Sequence, residues 1–162
     1  MTRPAVRRAG PADARALAEL LNAVIAQGGT TALTAPVSRA QIAAWMAADP
    51  RAIWHLAEDD KGEVLGFQWV EPHPEFGSDC AQIATFARVG HTGLGIGSAL
   101  FEATRAAARR GGYRWINAEI RADNAGGLIY YQSRGFEGFA LRRAVRLDDG
   151  TVVDKILKRH EL

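Results

Sequence analysis

A single cysteine, Cys80, excludes an internal disulfide, and its isolation suits a reducing compartment. Lysine is scarce too: Lys61, Lys155 and Lys158 are the only ones, and arginine carries most of the positive charge. The net charge of +2 is too small to call for nucleic acid or an anionic membrane as partner. No run approaches the roughly 20 apolar residues of a membrane span. The start, Met1–Arg8, lacks the apolar core of a signal peptide. These absences set a cytoplasmic expectation. His73 and Glu75 stand close together, but two such residues do not make a metal site, so no metal is expected.

What remains is the make-up of a folded globular chain, with 48% hydrophobic and 23% charged residues. Residues 1–162 are expected to form one domain. Ala5–Ala9 reads as a first strand. A helix follows with Leu17, Leu20, Leu21, Val24 and Ile25 on one face, stopping at Gly28-Gly29. Ser38 is an expected N-cap for a second helix, which carries Ile42, Trp45 and Met46. Strands are expected over residues 52–57, 63–71 and 80–89, the first two joined by the turn Asp59-Asp60-Lys61-Gly62. Residues 97–110 have helical spacing, 115–121 alternate as a strand, and 124–134 read as a helix stopped by Gly135. Two strands, residues 136–147 and 151–157, end the chain. Because the middle is a run of hairpins, the class is α+β. Trp45 and Trp54 read as core, and Trp69 as core or pocket wall.

The stretch from Thr85 to Leu100 is strand, glycine-rich turn, then helix, with glycines at 93, 95 and 97. Free backbone N–H groups at such a helix start form an anion site, and phosphate is the usual occupant. A P-loop needs a lysine before its Ser or Thr, and Gly97-Ser98 has none. A dinucleotide fingerprint needs a third glycine where this chain has Leu100. A second constellation follows the next strand. Asn124 is followed seven residues on by Tyr131, and Gly135-Phe136 lie just beyond.

The Gly-x-Gly after a strand, followed by this Asn…Tyr…Gly-Phe series, resembles the GNAT superfamily of N-acetyltransferases, and the order of elements agrees along nearly the whole chain. The resemblance implies a mixed, mostly antiparallel sheet splayed between its fourth and fifth strands, with helices on both faces. It implies acetyl-CoA as co-substrate. Backbone groups near Phe86, Ala87 and Val89 would pair with the pantetheine arm. Amides of Gly93, Leu94, Gly95, Gly97 and Ser98 would hold the pyrophosphate, and Asn124 would bond the arm near the thioester. Thr92 departs from the pattern, which usually has Arg or Gln there.

Acetylating an amine needs an unprotonated nucleophile, a stabilised oxyanion and a proton for the departing thiolate. Tyr131 is the expected acid, since a phenol with a pKa near ~10 keeps its proton at neutral pH. Tyr130 takes the packing side. Glu119 lies twelve residues before Tyr131, a separation seen in relatives that acetylate protein N-termini, and it is the candidate base. An ion pair with a neighbour such as Arg121 is the competing role for Glu119. A water chain to Glu71 or His73, oriented by Gln82, is the other route for the proton.

Residues 28–36 and Trp45 look like the corresponding stretch of phosphinothricin and methionine-sulfone acetyltransferases. That points to a small amino-acid-like amine, with Arg88, Arg121 or Arg142 as candidate carboxylate holders. A protein or peptide acetyltransferase and a non-catalytic acyl-CoA-binding module are the alternatives. A homodimer fits the resemblance, although the sequence does not fix the oligomeric state.

Overall fold

The computed structural model describes residues 3–91 and 95–162. Strand β1 (Ala5–Arg8) leads through a short 3₁₀ turn into helix α1 (Ala14–Gln27) and then α2 (Arg39–Ala47). Strands β2 (Ile53–Glu58), β3 (Val64–His73) and β4 (Gly77–Ala87) form a meander. Helix α3 (Ile96–Arg110), β5 (Trp115–Arg121), α4 (Ala125–Ser133), β6 (Glu137–Arg146) and β7 (Val152–Glu161) complete the chain. Among the described residues no helix is long and apolar enough to cross a membrane.

The strands make one sheet in the order β1-β2-β3-β4-β5-β7-β6. Every neighbouring pair is antiparallel except β4 and β5. Those two run parallel and pair only over Cys80–Gln82 against Trp115–Asn117, after which they part. The splayed α+β architecture expected from the resemblance is therefore present. Beyond Gln82, β4 keeps β3 on one flank and, among the described residues, has no strand on the other.

Side-chain alternation gives the sheet two apolar faces. On one, Leu17, Leu21 and Ile42 from α1 and α2 pack on Trp54, Leu56, Phe67 and Trp69. The rings of Trp54 and Trp69 stack with centroids 4.1 Å apart, so this layer is a ladder of flat aromatics. On the other face, Phe101, Ala107 and Ala108 of α3 and Tyr131 of α4 meet Ile83, Ile116 and Ile120. The local signals act as anticipated. Ser38 caps α2 by accepting from the Gln41 amide, and the Gln41 side chain returns a bond to the Ser38 amide.

Two boundaries differ from expectation. Strand β4 ends at Ala87, which leaves Val89 in the following turn. Strand β7 runs on to Glu161 because it is inserted between β5 and β6 and is paired along its length with β5. Its charged tail, Lys158-Arg159-His160-Glu161, hides a central strand behind the composition of a surface one. Strand β6 is the outer edge, and its register shifts between Arg142 and Val145. Ala144 sits there at φ 53°, its amide held by Asp154 Oδ1 at 2.8 Å. Such a bulge re-aims its neighbours, and Arg142 is the residue beside it.

Candidate active site

Where β4 and β5 part, a cavity of about 550 Å³ opens between the strands and beneath the loop after α1. Its floor is Ala84, Thr85 and Phe86 of β4, and its aromatic wall is Trp45 and Trp69. Trp45, expected as core, is thus half-buried at the cavity edge, its ring 6.0 Å from that of Trp69. Thr31 and Leu33 form the roof. Arg121 ties that roof down by donating to the Thr31 carbonyl at 3.0 Å, while its other nitrogens grip Asp123.

Tyr131 is buried on α4 and reaches the cavity through the gap between the strands. Its hydroxyl lies 2.8 Å from Thr85 Oγ1. Gln68 Nε2 donates to the same Thr85 oxygen at 2.8 Å and to the Tyr130 hydroxyl at 3.1 Å. With one lone pair filled from Gln68, the Thr85 hydroxyl has one proton and one lone pair left for Tyr131, and either oxygen can donate across that contact. In the arrangement where Thr85 donates, the Tyr131 proton is free to point into the cavity. Burial pushes the Tyr131 phenol above its ordinary range, against a smaller opposing effect of the Thr85 bond, so it stays protonated.

Tyr130 is bound differently. Its hydroxyl donates to the Gly97 carbonyl at 2.8 Å, and burial pushes that phenol up to about 12. Tyr130 therefore pins α4 to the start of α3, the packing role expected of it.

Glu119 and Glu71 both line the cavity. Glu119 Oε1 lies 3.4 Å from His73 Nε2 and 3.3 Å from Arg142 Nη2. The other ring nitrogen of His73 accepts the amides of Glu75 at 3.0 Å and Phe76 at 3.2 Å, so the ring proton sits on Nε2, facing Glu119. Arg142 also bridges to Glu75, and its charge state is reinforced first by Glu119. The partner of Glu119 is thus Arg142 and not Arg121. Burial raises the Glu71 carboxyl, with the hydrogen bond from Trp69 working against it. Gln82 accepts from Asn117 Nδ2 at 2.7 Å, between Glu71 on β3 and Asn117 on β5.

The remaining sequence candidates fall in three places. Along β4 the Arg88 amide bonds Leu65 on β3, and alternation then turns Phe86 the same way and Ala87 toward the open flank. The Phe86 ring packs on Trp69 with centroids 5.8 Å apart. Gly95, at φ 76°, starts α3, and Gly97 and Ser98 lie in its first turn. Arg134, which the sequence did not single out, donates to Ser98 Oγ at 2.9 Å and adds positive charge beside that helix start. Gly93 and Leu94, and the unusual Thr92, lie outside the described residues. Asn124 caps α4 by accepting from the Gly127 amide at 3.0 Å and donates to the Thr30 carbonyl at 3.1 Å, so its amide is committed to the roof loop. Arg88 donates to the Val64 carbonyl at 2.7 Å and is not among the cavity-lining residues.

A sheet split at its one parallel pair, with an N–H-rich helix start at its mouth and a buried phenol in the gap, is a frame for an extended anionic ligand. A sequence model of the acetyltransferase (GNAT) family matches residues 17–136. The chain belongs to the GNAT acetyltransferase family. Solved structures agree on the fold. A ribosomal-protein-alanine N-acetyltransferase from Brucella melitensis is 23% identical with a TM-score of 0.88, over 98% of this chain and 99% of that one. A phosphinothricin acetyltransferase from Sinorhizobium meliloti, in complex with acetyl-CoA, is 21% identical with a TM-score of 0.87, over 99% and 89%. An N-acetyltransferase from Staphylococcus aureus Mu50 is 20% identical with a TM-score of 0.87, over 99% of both chains. No curated protein matches the chain.

Within this GNAT fold, sequence reasoning overlooked Thr85 and Gln68, the two residues that orient Tyr131. Gln68 is the one polar residue in the run Val64–Val70, and that interruption was the signal available. The contact between His73 and Glu119 joins residues 46 positions apart, and nothing local announces it.

Proposed function

We propose that this GNAT chain transfers the acetyl group of acetyl-CoA to the primary amine of a small, amino-acid-like molecule, by direct attack within a ternary complex. The observation that carries the reading is Tyr131, a buried phenol kept protonated in the gap between β4 and β5. In this reading the pantetheine arm lies along the open flank of β4 and the pyrophosphate meets the first turn of α3. The amine nitrogen attacks the thioester carbon, the C–S bond breaks, and Tyr131 gives its proton to the departing sulfur. An acyl-enzyme route through the one thiol is disfavoured, because Cys80 is buried and pushed up to about 12 by that burial.

Glu119 takes the proton lost by the amine. Glu119 lies on β5 two residues past the last pair with β4, Asn117 with Gln82, and lines the cavity together with Ala84 of its floor. A second acceptor is favoured by one observation: the raised carboxyl of Glu71 is the better matched to proton transfer near neutral pH. Glu119→Gln is expected to lower turnover by about 10²-fold, with Glu71→Gln having a smaller effect. The reverse order would transfer the role to Glu71. The shared premise is tested by thermal shift. Acetyl-CoA at 100 times its Kd should stabilise the protein by about 2.7 kcal/mol, and no shift at any concentration would sink the reading. Thiol release with an amine panel then separates an enzyme from a binding module.

A further inference from the structure

Across β5, β7 and β6 the register sets three cations side by side, Arg121 opposite Lys155 and Lys155 opposite Arg142. Like charges in such a row repel unless each is balanced. Two are balanced. Arg121 holds Asp123 at 2.8 Å, and Arg142 holds Glu75 and Glu119, both at 3.3 Å. Lys155 sits between them, half-buried and lining the cavity, and has no hydrogen-bond or ion-pair partner among the described residues. Its ammonium is the cavity cation left without a counter-ion.

The same face of β5 carries Glu119 two residues before Arg121, a spacing of roughly 7 Å along the strand. The cavity therefore presents a carboxylate at one level and an unbalanced ammonium at the next. A small molecule with an amine at one end and an anion a few bonds away complements both. We infer that Lys155 is a specificity-determining residue, one that selects acceptors bearing a carboxylate near the amine by forming a charge-assisted hydrogen bond to it. This rests on the acetyltransferase reading above and narrows its substrate class. The three arginines suggested by sequence are set aside for this role, since Arg121 and Arg142 already hold carboxylates and Arg88 turns to β3. A carboxylate docked on Lys155 would also relieve the repulsion along the row.

Matched acceptors that differ only in the carboxylate test this: L-phenylalanine with 2-phenylethylamine, and L-methionine with 3-(methylthio)propylamine. Thiol release from acetyl-CoA should give the wild type a kcat/KM at least about tenfold higher for each amino acid, as expected of one hydrogen bond to a charged group. Lys155→Met should erase that preference, and Lys155→Arg should retain most of it. No preference in the wild type, or a preference surviving in Lys155→Met, would overturn the assignment while leaving the acetyltransferase reading intact. If neither amine class releases thiol, the acetyltransferase reading fails instead. Calorimetric titration of L-phenylalanine into the protein with coenzyme A then decides on Lys155 alone. Binding by the wild type that is lost in Lys155→Met supports it, and no wild-type binding, or equal binding by both, refutes it. Melting temperatures of the variants exclude a folding defect.

Discussion

Tyr131→Phe should lower kcat by about 10²- to 10⁴-fold, the usual worth of a positioned proton donor, and leave the Kd for acetyl-CoA almost unchanged. The split follows from what the change removes. Phenylalanine keeps the ring that packs on Phe136, with centroids 5.1 Å apart, and keeps its place on α4. Only the hydroxyl goes, and with it the proton meant for the thiolate and the bond to Thr85. Thr85→Val removes the bond that orients that proton while leaving the phenol in place. Its loss should be smaller, about tenfold, and should fall on kcat. Steady-state kinetics together with calorimetry of acetyl-CoA binding read both quantities. If Tyr131→Phe turns over normally, the sulfur takes its proton from elsewhere and the acid role passes from Tyr131.

Gly97→Ala should damage stability and cofactor binding together. A Cβ at Gly97 would sit 2.6 Å from Tyr130 Cε1, closer than carbon atoms approach. The ring has little freedom to retreat, because it is half-buried and its hydroxyl is bonded to the Gly97 carbonyl and to Gln68. Overpacking of this kind costs about 1–3 kcal/mol. A chain of this size should then melt several degrees lower. In the proposed reading the displaced first turn of α3 also misaligns the amides that meet the pyrophosphate, so the Kd for acetyl-CoA should rise at least about tenfold. A melting temperature equal to that of the wild type would mean that Tyr130 moves aside freely.

Much of this molecule is legible from local pattern. The bounds of β5 were read correctly, as were the N-cap at Ser38 and the positions of α1 and α3, because each depends on residues a few places apart. The splay came from resemblance, since no local feature of residues 80–89 or 115–121 says that their pairing stops after Gln82. What stayed hidden depends on neighbours brought together by folding. The length of β7 was underestimated because Lys158, Arg159 and His160 look like a solvated end, whereas they lie on a strand paired on both sides. Trp45 was assigned to the core from its helical spacing, and only the position of the roof loop makes it a cavity wall. Lys155 carries no signal in the sequence at all. Its meaning lies in Arg121 and Arg142 across the sheet, and in the carboxylates that satisfy those two and not it.

The parting of β4 from β5 has a further consequence for how the protein coexists with others. A strand flank with unpaired amides and carbonyls is adhesive, and proteins normally blunt such flanks at the outer edge of a sheet. Here the backbone groups of Ile83, Thr85 and Ala87, which alternation turns away from β3, have no strand partner among the described residues and lie mid-sheet, with Tyr131 in the gap and Thr31 above. A foreign strand arriving from solution would have to enter between β4 and β5 with its own sheet behind it, whereas a single slender chain can enter alone. Placing the adhesive flank inside the sheet, and not at its rim, thus favours thin ligands over sheet-to-sheet pairing.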